Sequence, residues 1–205
     1  MKILVLGSGA REHAIIKALI RTGTSRDNIV CAPGNPWIGN EVEVRDVDAN
    51  DKLSVVKLAL EERVDLVVIG PEAPLVAGIA DALREQGTAV FGPNQDAAAL
   101  EGSKQFAKEI MAAADIPTGM ARECSTIEEV ESAMAQFGAP FVIKADGLAA
   151  GKGVIVTSDT EAALEHAKKF IAMGILVEEF LDGQEVSLFF LADGKSVLPL
   201  TPAQD

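Results

Sequence analysis

Glycines and lysines are concentrated in the segment KADGLAAGKGV, which spans residues 144–154. Glycines let the backbone come close to a bulky anion, and exposed backbone N–H groups form a concavity that binds anions. Ammonium groups beside such a concavity offset the charge of a triphosphate. The segment therefore predicts phosphate binding, and the residues concerned are Lys144, Gly147, Gly151, Lys152 and Gly153.

The spacing in this segment differs from that of a Walker A loop. Three residues separate Gly147 from Gly151, where a Walker A loop has four. Gly153 follows Lys152, at the position where that loop has a hydroxyl residue. The segment also lies between two predicted strands instead of opening a helix. An ordinary glycine-containing β-hairpin is the alternative that the composition leaves open.

An acidic stretch, Val-Glu-Glu-Phe-Leu at residues 177–181, follows the glycine-rich segment, and Glu185 comes soon after it. Carboxylates that become buried need partners. A strand of this kind can offer backbone groups to an adenine edge and a carboxylate to ribose hydroxyls. Acids on the outer face of an edge strand give the same pattern, so these residues alone leave both interpretations open.

The N-terminal part of the chain alternates between short apolar runs and amphipathic segments. Such runs predict strands, and apolar residues at helical spacing predict helices. The order β-α-β-α predicts a mostly parallel sheet that is covered on both faces. The predicted strands are Lys2–Leu6, Asn28–Ala32, Asp65–Ile69 and Thr88–Phe91, and the predicted helices are Ala10–Arg21, Leu53–Arg63 and Leu75–Gln86.

A turn rich in glycine and proline follows each of these predicted strands, at residues 7–9, 33–36, 70–74 and 92–94. The carboxyl ends of parallel strands meet at one edge of the sheet, and ligands bind there. The turns together therefore predict a ligand-binding rim. The alternative is that loops between strands and helices need turn residues in any case.

The pattern changes after Gly102, which indicates a second domain. Strand patterns there alternate like antiparallel strands, and Asp193-Gly194 is typical of a hairpin turn. We expect domains at residues 1–102 and 103–205. The predicted helices are Lys104–Ala114, Thr126–Phe137 and Glu161–Ile171, and the predicted strands are Phe141–Lys144, Val154–Thr157, Leu176–Phe180 and Val186–Leu191.

Composition excludes several classes of partner. The chain has 205 residues, with 18 Lys and Arg against 31 Asp and Glu, so its net charge is -13. This charge opposes binding to nucleic acid and to anionic lipid surfaces. The N-terminal apolar run is too short for a signal peptide or a membrane span. Two cysteines far apart suggest neither disulfides nor a CxxC metal site, so we expect a cytoplasmic protein.

The chain resembles the ATP-grasp superfamily, and within it the phosphoribosylamine–glycine ligase family. The resemblance covers essentially the whole chain and rests on GSGAREHA at 7–14, PGNP at 33–36, GPEAPL at 70–75, FGP at 91–93, KADGLAAGKGV, and the final PAQD. It implies an α/β fold: a parallel-sheet, Rossmann-like substrate domain (pre-ATP-grasp), followed by the first part of an α+β ATP-grasp domain with a lid at about 121–185.

The resemblance also implies an activity and site residues. ATP with Mg²⁺ or Mn²⁺ would phosphorylate glycine, and the amine of 5-phosphoribosylamine would then attack the glycyl phosphate, in purine synthesis. Phosphate contacts would come from Lys104, Lys144, Gly147, Gly151, Lys152 and Gly153, adenine contacts from Glu178, Glu179, Phe180 and Leu181, and a ribose contact from Glu185. Lys152 and Asp205 would be catalytic, and Gly9, Arg11, Asn35, Glu72 and Pro74 would bind phosphoribosylamine.

Gly9 and Arg11 suit a phosphate because they lie at a predicted helix N-terminus, where unpaired N–H groups and the helix dipole favour an anion. His13, inside that helix, is expected to be packed or capping instead of catalytic. Trp37 follows Pro36 where the family often has glycine, and lies on the same rim.

The family continues past Asp205 with the part that carries its Mg²⁺ ligands, so we expect no metal ligand within this chain. We also expect a monomer, and no ligase activity from the 205-residue species alone. Two alternatives are a non-catalytic nucleotide-binding module and another ATP-grasp carboxylate–amine ligase. A third, a dinucleotide-dependent dehydrogenase, is suggested by Gly7-Ser8-Gly9, but Glu12 replaces the third glycine of that fingerprint.

Overall fold

A parallel sheet is built from the N-terminal apolar runs, in the strand order β3-β2-β1-β4-β5. The computed structural model describes residues 1–149 and 151–204. The strands of this sheet are β1 Ile3–Gly7, β2 Ile29–Pro33, β3 Glu43–Val44, β4 Leu66–Ile69 and β5 Ala89–Phe91. The helices around it are α1 Ala10–Arg21, α2 Pro36–Gly39, α3 Lys52–Glu61, α4 Glu72–Val76, α5 Ile79–Glu85 and α6 Gln95–Gly102.

The core lies on both faces of β1, which is fully buried. Side chains alternate between the faces of a strand, so Leu4 and Leu6 pack on one side and Ile3 and Val5 on the other. Helices α3 and α5 cover the first face, and α1 and α2 cover the second. The predicted doubly covered parallel sheet is confirmed.

An antiparallel sheet forms the second unit, in the strand order β6-β9-β7-β8. Its strands are β6 Ala121–Cys124, β7 Phe141–Ala145, β8 Val154–Thr157 and β9 Ile175–Glu178. The helices of this unit are α7 Lys104–Ala113, α8 Ile127–Phe137 and α9 Thr160–Phe170, and a small separate sheet consists of β10 Phe190–Ala192 and β11 Val197–Pro199. Helices α8 and α9 pack on the four-stranded sheet through one apolar core.

Two predicted elements differ from the observed ones. The predicted helix Leu75–Gln86 is wrong as a single helix, because Gly78 adopts a left-handed conformation (φ 80°) that separates α4 from α5. The predicted strand Val186–Leu191 is also wrong over most of its length, since pairing there is limited to β10 and an isolated bridge between Ser187 and Ala203. The predicted turn at Asp193-Gly194 does join β10 to β11.

The side chain of Glu12, on α1, is buried beneath the turns that follow β1 and β4, with only 3% of the residue exposed. One carboxylate oxygen accepts a hydrogen bond from the backbone N–H of Gly9 at 2.5 Å. The other has no hydrogen-bond partner among the described residues. A Cβ atom at Gly70 would lie 2.0 Å from this second oxygen, and one at Gly7 would lie 2.6 Å from the Glu12 Cγ. Glycine at both positions is therefore what admits the carboxylate.

No helix within the described part of the chain is long and apolar enough to cross a membrane.

The substitution Gly70→Ala tests this packing, because Gly70 does not have a positive φ and the new Cβ would collide with the Glu12 side chain. We expect it to lower the free energy of unfolding by about 1–3 kcal/mol, as overpacked sites do. The measurement is urea unfolding followed by circular dichroism.

Two further variants sharpen the test. Gly39→Ala, where the new Cβ would meet its nearest neighbour at 3.8 Å, is the matched control and should be nearly neutral. In a Glu12→Ala background, Gly70→Ala should lose most of its effect, because the atoms it collides with are gone. An undiminished effect in that background would contradict the steric account.

Candidate functional site

The carboxyl ends of β1, β2 and β4 meet at one edge of the parallel sheet, as the sequence predicts. Loop atoms tie these ends together: the Gly34 N–H donates to Gly7 O at 3.1 Å, and the Asn35 amide donates to Ser8 O at 2.8 Å. The side-chain oxygen Oδ1 of Asn35 also caps α2, because it accepts hydrogen bonds from the backbone N–H groups of Trp37 and Ile38. Asn35 thus positions the rim, and the Trp37 side chain is 74% exposed beside it.

Arg11 and Glu72 face each other across this rim and form a bidentate ion pair, with N–O distances of 2.7 and 3.2 Å. The hydrogen bonds that Arg11 donates to Glu72 lower the pKa of the Glu72 carboxyl and raise the pKa of the Arg11 guanidinium. The pair joins the turn after β1 to the turn after β4. Arg11 and Glu72 are distant in sequence and were both predicted to bind substrate, and the structure brings them into contact.

The other two predicted rim residues in this part of the chain, Gly9 and Pro74, present less to a ligand than the sequence suggests. The Gly9 N–H already donates a hydrogen bond to the Glu12 carboxylate, which occupies the place that a bound anion would take at the N-terminus of α1. Pro74 is buried in α4, so it shapes the turn instead of presenting a surface. The Nε2 atom of His13 is buried without a hydrogen-bond partner in the described residues, which agrees with a packing role.

The thiol of Cys31 lies below the same rim and donates to Gly7 O at 3.4 Å. Burial, with a smaller contribution from the charge of Glu12, raises the pKa of this thiol to about 12. Because the thiolate is the nucleophilic form, Cys31 is unreactive at neutral pH.

A cavity of about 580 Å³ lies between the first unit and the antiparallel sheet. It brings together most residues predicted to contact phosphate, and Glu72 from the rim also lines it. Its basic and glycine lining consists of Lys104, Lys108, Lys144, Gly147, Gly151 and Gly153. Its acidic lining consists of Glu72, Glu101 and Glu178.

The glycine-rich loop connects β7 to β8, as predicted. Gly147 and Gly151 adopt left-handed conformations (φ 85° and 77°) that disfavour other residues, and the loop closes through a hydrogen bond from the Ala145 N–H to Gly153 O at 2.6 Å. Lys152 is exposed on this loop. Asp205, the other residue predicted to be catalytic, lies outside the described residues.

Lys104 and Asp146 fasten this loop to the N-terminus of α7. The Lys104 ammonium donates to the carbonyl oxygens of Ala145 and Gly147, both at 2.9 Å. The Asp146 carboxylate accepts from the Lys104 N–H at 2.6 Å and from the Ser103 hydroxyl at 3.0 Å. Sequence reasoning missed Asp146; the serine before α7 is a typical N-cap signal, but no local pattern indicates that a carboxylate 42 residues away shares this helix N-terminus.

Lys144, on β7, donates to the Glu178 carboxylate on β9 at 2.8 Å. Lys108, which sequence reasoning also missed, lies 3.7 Å from the same carboxylate. The spacing of four residues between Lys104 and Lys108, which puts both on one face of α7, is the signal that could have found it.

Of the residues predicted to contact adenine and ribose, Glu178 lines the cavity, and Glu179, Phe180, Leu181 and Glu185 come after it in the chain. The Glu179 carboxylate accepts from the Met120 N–H at 2.8 Å, which ties the end of β9 to the start of β6. Phe180, Leu181 and Glu185 are exposed. These three side chains do not line the cavity. The structure therefore groups the residues predicted to contact phosphate more completely than those predicted to contact adenine.

Within residues 1–149 and 151–204, no group of three or more His, Cys, Asp and Glu side chains could hold a metal ion.

Both parts of the chain match family models. Residues 1–101 match the model described as phosphoribosylglycinamide synthetase, N domain, and residues 102–205 match that of the ATP-grasp (A) domain of the same synthetase. The phosphoribosylamine–glycine ligase of Leifsonia xyli is 60% identical over 207 residues, which cover 100% of this chain and 49% of that protein. That of Streptomyces coelicolor is 55% identical, with the same coverage. The chain thus spans about half the length of these relatives.

Solved structures agree with this match. A crystal structure of phosphoribosylamine–glycine ligase from Thermotoga maritima superposes with a TM-score of 0.78 at 29% identity, over 98% of this chain and 49% of that chain. A carboxyaminoimidazole ribonucleotide synthase from Aspergillus clavatus, complexed with ATP, shares the fold at 20% identity with a TM-score of 0.76, over 99% of this chain and 53% of that chain. The chain therefore belongs to the phosphoribosylglycinamide synthetase family, of which it contains the N domain and residues of the ATP-grasp domain.

Proposed function

We propose that the chain supplies the phosphoribosylamine-binding and phosphate-binding parts of a phosphoribosylamine–glycine ligase. The reaction joins glycine to 5-phosphoribosylamine at the expense of ATP, and yields glycinamide ribonucleotide, ADP and phosphate in purine biosynthesis. The observation that carries the proposal is the cavity in which Glu72, from the strand-end rim, shares a lining with the lysines and glycines of the second unit. Ligation requires reactants to be held side by side in this way.

The chemistry explains why the cavity combines lysines with glycines. A carboxylate such as that of glycine is a poor acyl donor until it is phosphorylated, so the site must hold several anions together. We propose that Lys144, Lys152 and the N–H groups of the loop hold the phosphates of ATP. The Lys104 ammonium has two neutral carbonyl partners, which leaves its charge to act on a phosphate nearby. These residues would mainly position the phosphates and neutralise their charge.

Phosphoribosylamine is proposed to bind at the rim, where Arg11 would contact its phosphate and Glu72 and Asn35 its sugar or amine. Arg11 is bound to Glu72, so phosphate binding must replace one acidic partner with another. The exchange releases the Glu72 carboxylate at the edge of the nucleotide cavity. A cationic amine entering there would find a counter-ion.

The remaining roles extend this assignment. Glu178 to Leu181 would contact adenine and Glu185 the ribose. Among the described residues no group of three or more His, Cys, Asp and Glu side chains could hold a metal ion, and we propose that the ligands of Mg²⁺ or Mn²⁺ belong to the part of the relatives that this chain does not span. We further propose a cytoplasmic monomer with Asp205 and Lys152 near the reacting groups.

A chimeric enzyme tests the activity. This chain, joined at Asp205 to the remaining half of the Leifsonia xyli ligase, should form ADP only when glycine and phosphoribosylamine are both present, while the 205-residue chain alone should form none. A coupled ADP assay measures both. ADP formation stimulated by another carboxylic acid instead of glycine would refute the assigned substrate, and turnover by the chain alone would refute its incompleteness.

Lys144→Met tests the phosphate site in the 205-residue chain. Removing a charged donor to phosphate costs about 1.5–3 kcal/mol, so the affinity for ATP should fall about 10- to 100-fold. NMR titration of the ¹⁵N-labelled chain, followed at the Gly147, Gly151 and Gly153 amides, measures even weak binding. Lys57→Met, which removes an exposed lysine on α3, is the matched control and should change the affinity less than about twofold.

The ion pair on the rim predicts a pH dependence. Arg11 lowers the folded-state pKa of Glu72, so the pair contributes stability above the ordinary glutamate pKa and loses it as the pH falls through the lowered value. Arg11→Met should raise the Glu72 pKa toward the ordinary glutamate value, as followed by carboxyl ¹³C NMR. Arg26→Met is the control: it should raise the pKa of Glu41, its own partner, and leave Glu72 unchanged. A Glu72 pKa insensitive to Arg11 would contradict the pairing.

A further inference from the structure

The side chain of Lys108, on α7, is largely enclosed. Helix α7 has no buried residue, yet the Lys108 side chain is only 16% exposed. A lysine stem is long enough to carry its ammonium to water, and an enclosed charge is costly unless it is paired. The partners of the ammonium must therefore compensate for its loss of contact with water.

Those partners fix Lys108 in place. Its ammonium donates to the Thr118 hydroxyl at 2.9 Å and to the Gly119 carbonyl at 2.7 Å. An ammonium has three N–H donors, so these two neutral oxygens accept two of its three possible hydrogen bonds. The charge itself faces the Glu178 carboxylate at 3.7 Å.

Lys144 is held differently by the same carboxylate. It donates to the second Glu178 oxygen at 2.8 Å, and its side chain is 27% exposed. Glu178 thus lies between two lysines, one anchored to the segment before β6 and one that lines the cavity beside the glycine loop.

Release of Lys144 would leave Glu178 in an unfavourable state if Lys108 were absent. The Glu178 side chain is 11% exposed, and an enclosed carboxylate that loses its only counter-ion is strongly destabilised. Lys108 keeps a positive charge beside the carboxylate after Lys144 moves. It also cannot follow Lys144, because Thr118 and Gly119 hold it.

We propose that Lys108 is a positioning residue of the nucleotide site, which keeps the Glu178 carboxylate fixed and neutralised so that Lys144 can transfer from it to a phosphate. The inference rests on the proposed ATP site and adds a residue to it. In this arrangement Glu178 binds Lys144 until a phosphate is present. Lys108 lowers the free-energy cost of moving the Lys144 ammonium from Glu178 to the phosphate.

A double-mutant cycle tests this role. Lys108→Met should weaken ATP binding by the 205-residue chain about tenfold, a change of about 1.4 kcal/mol, because Glu178 would then retain Lys144. In a Glu178→Gln background no carboxylate retains Lys144, so Lys108→Met should change the affinity less than about twofold. The readout is the NMR titration at Gly147, Gly151 and Gly153. Lys108→Arg, which keeps the charge, should restore most of the affinity.

The outcomes separate the alternatives. If Lys108 acts only by holding Thr118 and Gly119, the tenfold loss persists in the Glu178→Gln background and the inference is overturned. An unchanged affinity in Lys108→Met alone overturns it too, while the ATP site stands. No saturable binding by the unsubstituted chain, or none that depends on Lys144, overturns the proposed site and the inference together. Amide spectra of β1 and β4 verify that each variant is folded.

Discussion

The buried carboxylate of Glu12 determines how the ends of β1 and β4 can approach each other. It fills the space left by Gly7 and Gly70, and it binds the N–H of Gly9 at the start of α1. The turns that carry Arg11 and Glu72 leave the sheet directly beside it. A dinucleotide pyrophosphate needs that N–H and that open space, so Glu12 also explains why the Gly-x-Gly pattern here is no dehydrogenase fingerprint. The rim of the substrate domain is thus organised around one acid.

Acids recur as partners of the groups that were expected to bind anions. Glu12 takes the helix N-terminus, Glu72 takes Arg11, and Glu178 takes Lys144. The chain has a net charge of -13, and at these three positions an acidic side chain holds the cation or the N–H group in place. Under the proposed assignment, ligand binding would exchange one negative partner for another, which costs less than desolvating a free cation.

The sequence predicts the parallel sheet, the shared edge of its turns and the loop between β7 and β8, because hydrophobic periodicity and glycine placement are local signals. It fails where the outcome depends on tertiary contacts. The break at Gly78 lies where the chain passes Lys52 and Gln95, which no local pattern reveals. The roles of Asp146 and Lys108 depend on partners about 40 and 70 residues away, at Lys104 and Glu178. The residue types at the site were therefore predictable, while their pairing was not.

The continuity of the first sheet in sequence has a consequence for protein synthesis. All five of its strands lie between Ile3 and Phe91, so the sheet needs no later segment to be complete. At about 5–20 residues per second, translation of the next hundred residues takes about 5–20 s, which is long compared with the folding of a small domain. The rim at the ends of β1, β2 and β4 can therefore form on the ribosome while the second unit's part of the cavity is still being made.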